Sequence, residues 1–319
     1  MTIDTATGVP APVAGSPFAD GPAPRAIAVD PQQRYLYVAS STGEVRGYAL
    51  NSSTGSLSAM SGSPFATGGD SVAIAVDPNS QFLLTANGTT NTVSVFKIGS
   101  SGALAEVSGS PFAAGSDPDA IVVAPGNFVY AGNAGDGTIS AYAMDTSTGA
   151  LTAVAGSPFA AGGHPLALVV NPSGAHLYSA NANPSGVSAL QINSGSGALS
   201  PISGSPFSAP NGALSIVMDG AGALLHIANG TNVDCYQVDS SSGALSWLGT
   251  SVTNGKASAL AVDAPDNFLY ALDSTDNQVE VFSINSVYYS LSLINGNPYP
   301  LFQGSGGQSL GPTSITVVH

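Results

Sequence analysis

The tetrapeptide Gly62-Ser63-Pro64-Phe65 recurs unchanged at Gly15, Gly109, Gly156 and Gly204, so that successive copies stand 47, 47, 47 and 48 residues apart. Degenerate copies follow at Leu248-Gly249-Thr250-Ser251 and Gly296-Asn297-Pro298-Tyr299. A repeat of this length running through the whole chain implies a repeated structural unit, and the period belongs either to propeller blades or to helical arrays. The local pattern decides between them. Each unit carries an apolar run such as Ala26-Ile27-Ala28-Val29 closed by Asp30-Pro31, with counterparts starting at Ala73, Ala120, Ala167, Ser215, Ala259 and Ser314. Short Val- and Ile-rich runs that end in Asp-Pro or Asn-Pro read as buried strands entering a turn. This is strand A, the innermost of a four-stranded blade.

Strand B follows with aromatics at a fixed place, as in Tyr35-Leu36-Tyr37-Val38, Phe128-Val129-Tyr130 and Phe268-Leu269-Tyr270. Strand C alternates in the half-buried manner, as in Val93-Ser94-Val95-Phe96 and Val279-Glu280-Val281-Phe282. A turn such as Thr148-Gly149 introduces the short outer strand D, glycine supplying a backbone conformation that other residues resist. Gly-Ser-Pro-Phe then leads inward, with Pro expected to end the pairing and Phe to cover the seam between blades.

Strand A occurs seven times, but B and C occur in full only six times. The expected fold is an all-β, seven-bladed β-propeller forming one domain over residues 1–319, with six full blades over about 25–295. The seventh would be stitched from both termini (about 2–18 plus 312–319): the end of a strand C at Thr2-Ile3-Asp4, a strand D at Val9–Ala14, and a strand A at Thr313–Val318. Its middle is short of two strands. A sequence lacking an N-terminal segment, a two-stranded remnant, and donation by another chain in a homo-oligomer all stay open, since an unpaired edge invites strand addition.

Composition narrows the partners. Five Lys and Arg stand against nineteen Asp and Glu, a net charge of −14 with no basic run, so nucleic acid and anionic membranes would be repelled. No stretch approaches the roughly 18 apolar residues of a membrane-spanning helix. The acidic, hydroxyl-rich composition is commoner on exported proteins, so an extracellular or periplasmic location is expected, with the leader absent from this sequence. The single cysteine, Cys235, reads as a small buried hydrophobe.

The strand A to B passage over residues 26–39 and the Thr-Gly-Ala-Leu turn at 148–151 resemble the lactonase-type seven-bladed propellers related to 6-phosphogluconolactonase and the carboxymuconate cyclases, and the wider YVTN repeat group. The resemblance covers essentially the whole chain. It implies a lactone-opening or lactone-forming site of His, Arg and acidic residues at one mouth of the central channel. This chain departs from that pattern, having three Arg (Arg25, Arg34, Arg46) and three Glu (Glu44, Glu106, Glu280) placed on strands C or D or their turns.

Residues just before strand A line a channel mouth, because strand A is innermost. Aligned by repeat, the position three before strand A reads Ala23, Asp70, Asp117, His164, Gly212, Lys256 and Gly311; the position one before reads Arg25, Val72, Asp119, Leu166, Leu214, Ser258 and Thr313. Asp70, Asp117 and His164 are the candidate catalytic set, and would also make an O,O,N site for a divalent cation. Arg25, Asp119 and Lys256 are candidate ligand-binding residues. Against this stands the plain reading of solvated, mutually paired loop charges.

Other residues read as structural. His176 and His226 take strand B aromatic positions, the Asp of Asp-Pro holds a turn, and Asp273–Asn277 is a hairpin without the Gly and distal Glu of a calcium loop. Two functions are carried forward: a secreted binding or self-assembly module, and a lactone hydrolase with its site at the channel mouth.

Overall fold

The computed structural model describes residues 1–209, 212–285, 290–301 and 314–317. Every regular element among them is a β-strand. Blade I runs Pro24–Val29, Tyr35–Ser40, Glu44–Leu50 and Leu57–Ala59, each strand antiparallel to the next. Blade II (Ser71–Val76, Phe82–Asn87, Thr92–Ile98, Leu104–Glu106) and blade III (Pro118–Ala124, Phe128–Asn133, Thr138–Met144, Leu151–Ala153) repeat that order. Blade IV spans Pro165–Val170 to Leu199–Pro201, blade V runs Ser215–Met218, Leu224–Ala228, Gly230–Val238 and the first part of Leu245–Val262, and blade VI takes the rest of that strand with Phe268–Asp273, Gln278–Asn285 and Ser290–Leu293. Strand B is buried along its whole length in blades I to III. The alternating strand C packs around it.

The core lies in the seams between blades. Phe82, Leu84 and Val93 of blade II pack with Ile121, Val123 and Val129 of blade III, and equivalent clusters join I to II, III to IV and IV to V. Each fully buried Leu or Phe contributes about 2 kcal/mol. A polar contact repeats along with them. The strand B tyrosine of one blade donates its hydroxyl to a glycine carbonyl in the next blade's C–D turn: Tyr37 to Gly102, Tyr130 to Gly197 and Tyr178 to Gly243, at 2.8 to 2.9 Å.

The N-terminal segment uses the same joint. Thr2–Ile3 pairs with Pro10–Ala11, and Tyr270 of blade VI donates to Gly8 in the turn between them. This hairpin therefore stands where the C–D hairpin of a seventh blade belongs. Of the expected C-terminal strand A, Ser314–Val317 form no regular strand, while Thr313 and Val318 lie outside the described residues. The hairpin supplies parts of strands C and D only, and among the described residues no strand B stands beside 314–317 to pair with them. Ile315 and Val317 nevertheless pack, with Ile3, on the face of blade VI made by Phe268, Tyr270 and Leu272.

One expectation about the Gly-Ser-Pro-Phe segment is corrected. Its proline does not end the pairing for good, because Phe65, Phe112 and Phe159 fold back onto Val45, Val93 and Ile139 of their own strand C. The serine makes this turn possible: Ser63, Ser110, Ser157 and Ser205 each accept a strand C amide through Oγ. The degenerate copy after blade V makes no such turn at all. Leu245–Val262 is one continuous strand serving as strand D of blade V and strand A of blade VI, which merges both into an eight-stranded sheet. Proline is missing there, and every residue can donate to a ladder.

Candidate functional site

Strand A begins with an irregularity that the sequence does not announce. In blade III the register with strand B slips between Pro118 and Ala120, so Asp119 is the extra residue of a β-bulge. The same slip puts Arg25, Val72, Leu166 and Ser258 in bulges of blades I, II, IV and VI. A bulge re-aims one side chain out of the ladder. Here it turns the first residues of the innermost strands toward the channel mouth.

Four of these bulge residues, Arg25, Val72, Asp119 and Leu166, join Asp70 and Asp117 in lining a hollow of about 420 Å³, a volume in the range of small-molecule sites. Loop chemistry holds the two further aspartates. Asp70 Oδ1 accepts from the Thr89 amide and hydroxyl, at 2.7 and 2.5 Å. Asp117 has a left-handed backbone (φ 52°), as do Ala23 (φ 46°) and Gly212 (φ 82°) at the same place in blades I and V. The Asp117 amide donates to Asn91 Oδ1 at 2.8 Å, tying blade III to the B–C hairpin of blade II.

Gly88 lets the two carboxylates approach. A β-carbon there would lie 3.1 Å from Asp117 Oδ1 and 3.6 Å from Asp70 Oδ2, so both oxygens converge on one point above the Gly88 backbone. Asp119 lies deeper. Burial pushes its carboxyl up to about 6, Asp117 and Asp70 push the same way, and the Arg25 guanidinium pulls against them. Arg25 itself is exposed. The other two arginines are engaged elsewhere, Arg34 with Asp30 at 3.1 Å and Arg46 with Glu44 at 2.9 Å.

Of the residues singled out from sequence, Arg25, Asp70, Asp117 and Asp119 are thus brought together. His164 and Lys256 are exposed and do not line the hollow. His164 is held through its main chain, to Asn183 and Ala182. The expected O,O,N trio is not assembled: no group of three or more His, Cys, Asp or Glu stands ready to hold a metal ion among the described residues. Val72 and Leu166, apolar walls of the hollow, had no functional signal in sequence beyond their place in the repeat. A smaller hollow of about 290 Å³ sits on the rim of blade V, where Ser241 and Ser242 already engage the Asp239 carboxylate.

No helix of the described residues is long and apolar enough to cross a membrane. No functionally curated protein matches the chain. Among solved structures it is similar to a putative 6-phosphogluconolactonase from Bacteroides uniformis, with 20% identity over 94% of this chain and 91% of that one and a TM-score of 0.83. It is also similar to a periplasmic gluconolactonase from Pseudomonas aeruginosa (18% identity, 93% and 92% covered, TM-score 0.76) and to a second putative 6-phosphogluconolactonase, from Bacteroides fragilis (20%, 85% and 83%, TM-score 0.74). These likenesses bear on the fold. The family model of the seven-bladed β-propeller lactonases matches residues 1–120 and 107–217, which is more than half of the chain, and the chain belongs to that family.

Proposed function

We propose that the protein hydrolyses a lactone in the hollow at the channel mouth. The observation that carries this reading is Asp119, a carboxylate held near pH 6 in a bulge that faces the channel, with Arg25 beside it. A general base works best when its pKa lies near the operating pH. Asp119 would take a proton from water as the water oxygen bonds to the lactone carbonyl carbon, and Arg25 would stabilise the oxyanion that forms. The ring C–O bond then breaks, Asp119 returns the proton to the departing alkoxide, and a hydroxy acid is released.

Asp119 acts as base in its ionised form, so kcat/KM should rise with pH through about 6 and level off above it. Asp119→Asn should lower kcat/KM by about 10²- to 10⁴-fold and abolish that rise. A stopped-flow pH-indicator assay on unsubstituted and sugar-derived lactones measures both. An unchanged rate in the variant, or no turnover of any lactone, would overturn the reading. A secreted scaffold or self-assembly role draws no support from the described residues, whereas family membership and a collected charged hollow both favour hydrolysis.

A further inference from the structure

The hollow is acidic despite its arginine. Three carboxylates (Asp70, Asp117, Asp119) face it against the single guanidinium of Arg25, and a fourth, Asp136, accepts the amide of Ser116, next to Asp117, at 2.5 Å. Arg25 is the only cationic residue among those lining the hollow. Its field is already directed at Asp119. The arginine singled out from sequence as a ligand-binding residue is therefore outnumbered, and a phosphate or carboxylate on the ligand would enter against a net negative field.

The same carboxylates suit hydroxyl groups. Asp70 Oδ1 is taken by Thr89, but among the described residues Asp70 Oδ2 and the Asp117 carboxylate accept no hydrogen bond, and they converge above Gly88. An ionised carboxylate accepts strongly from O–H donors. Val72 and Leu166 supply apolar wall for the carbon face of a ring.

We infer that the substrate is an uncharged polyhydroxy lactone, its hydroxyls donating to Asp70 and Asp117, and that phosphorylated or carboxylated lactones are disfavoured. This rests on the hydrolytic reading of the hollow. It also favours product release, because ring opening converts a neutral substrate into a hydroxy-acid anion that the same carboxylates repel. The class of reaction that supplies such a substrate is oxidation of an unphosphorylated aldose at its anomeric carbon.

The test compares three lactones with one ring: an uncharged aldono-δ-lactone, its ester with phosphate at the terminal hydroxyl, and its terminal carboxylate. At low salt kcat/KM for the uncharged lactone should exceed that for either anion by about tenfold or more, an effect of the size expected for like charges a few ångströms apart at a protein surface. The gap should narrow in 0.5 M NaCl and in Asp117→Asn, as screening shortens the reach of the field to roughly a few ångströms. Equal or faster turnover of the phosphorylated lactone would overturn the inference while leaving hydrolysis standing. If no lactone is turned over, hydrolysis fails, and calorimetric binding of the matching uncharged and phosphorylated lactams decides: tighter binding of the uncharged lactam upholds the charge preference, and equal or tighter binding of the phosphorylated one overturns it.

Discussion

The junctions leaving blade III and blade V do the same job by different means. After blade III, Ser157 Oγ accepts the Ala141 amide, Pro158 interrupts the ladder, and Phe159 rejoins Ile139 before strand A of blade IV begins. After blade V the strand does not end: Gly249 pairs directly with Cys235, Ser251 with Val233, and beyond an irregularity between Val252 and Ala257 it runs on to Val262. The inward polar residues differ in step. Asn133 donates to Thr138 and Ser140 in blade III, and Asn133 Oδ1 and Ser140 Oγ accept the Gly115 amide of the incoming linker. Blade VI has Asp273 and Glu280 at those places, and Glu280 Oε1 accepts the Asn254 and Gly255 amides. Proline with a short hydroxyl keeps blades as separate sheets; without them the edges zip together and the inner pair is free to change character.

That difference can be broken at graded cost. Blade V carries His226 where blades I, III, IV and VI carry a strand B tyrosine; it is fully buried, and neither ring nitrogen has a partner among the described residues. Burial pushes it down to about 4 from an ordinary value of 6.5. The unfolded chain therefore binds the extra proton between those values, and stability should fall by about 3 kcal/mol as pH drops from 7 toward 4. His226→Tyr should remove this slope in urea titrations at stepped pH. A slope unchanged in the variant would assign the acid sensitivity elsewhere.

Asn133→Ala should come next, costing about 2 kcal/mol, because it strips the hydroxyls of Thr138 and Ser140 and the Gly115 amide of a buried partner at once. Chemical denaturation of the single variant checks it. The smallest effect is a gain. Burial and the neighbouring Asp273 carboxylate push Glu280 up, against the pull of the two amides it accepts, and Glu280 Oε2 is buried without a partner among the described residues. The double variant Asp273→Asn, Glu280→Ser installs the pair used by blades II to IV. It should stabilise the protein by about 1 kcal/mol at pH 7, read as a raised midpoint of unfolding; a lowered midpoint would mean the acidic pair is a required part of the continuous strand.

Much of this architecture was legible in the sequence, because strands A, B and C each state their burial through side-chain type and spacing. The Asp of Asp-Pro was legible too: Asp30 and Asp77 each bind the two amides that open strand B, and Asp263, followed by Ala264, does the same. Aligning the repeat also gathered Arg25, Asp70, Asp117 and Asp119, since equal positions in a ring share one end of the channel. The repeat could not say which of them meet. His164 and Lys256 hold equivalent positions, yet both are exposed and neither lines the hollow, although Leu166, two residues beyond His164, does. Nor does composition mark a bulge, which depends on the register two strands settle into.

The bulge at the head of strand A has a consequence for how this family can diversify. Its residue lies outside the pairs that hold the ladder, and blades I to IV fill it with Arg, Val, Asp and Leu on the same backbone. Recognition and folding are thereby uncoupled. Each blade offers one position that selection or an engineer can rewrite alone, so new specificities can be assembled around the mouth while the repeat beneath stays as it is.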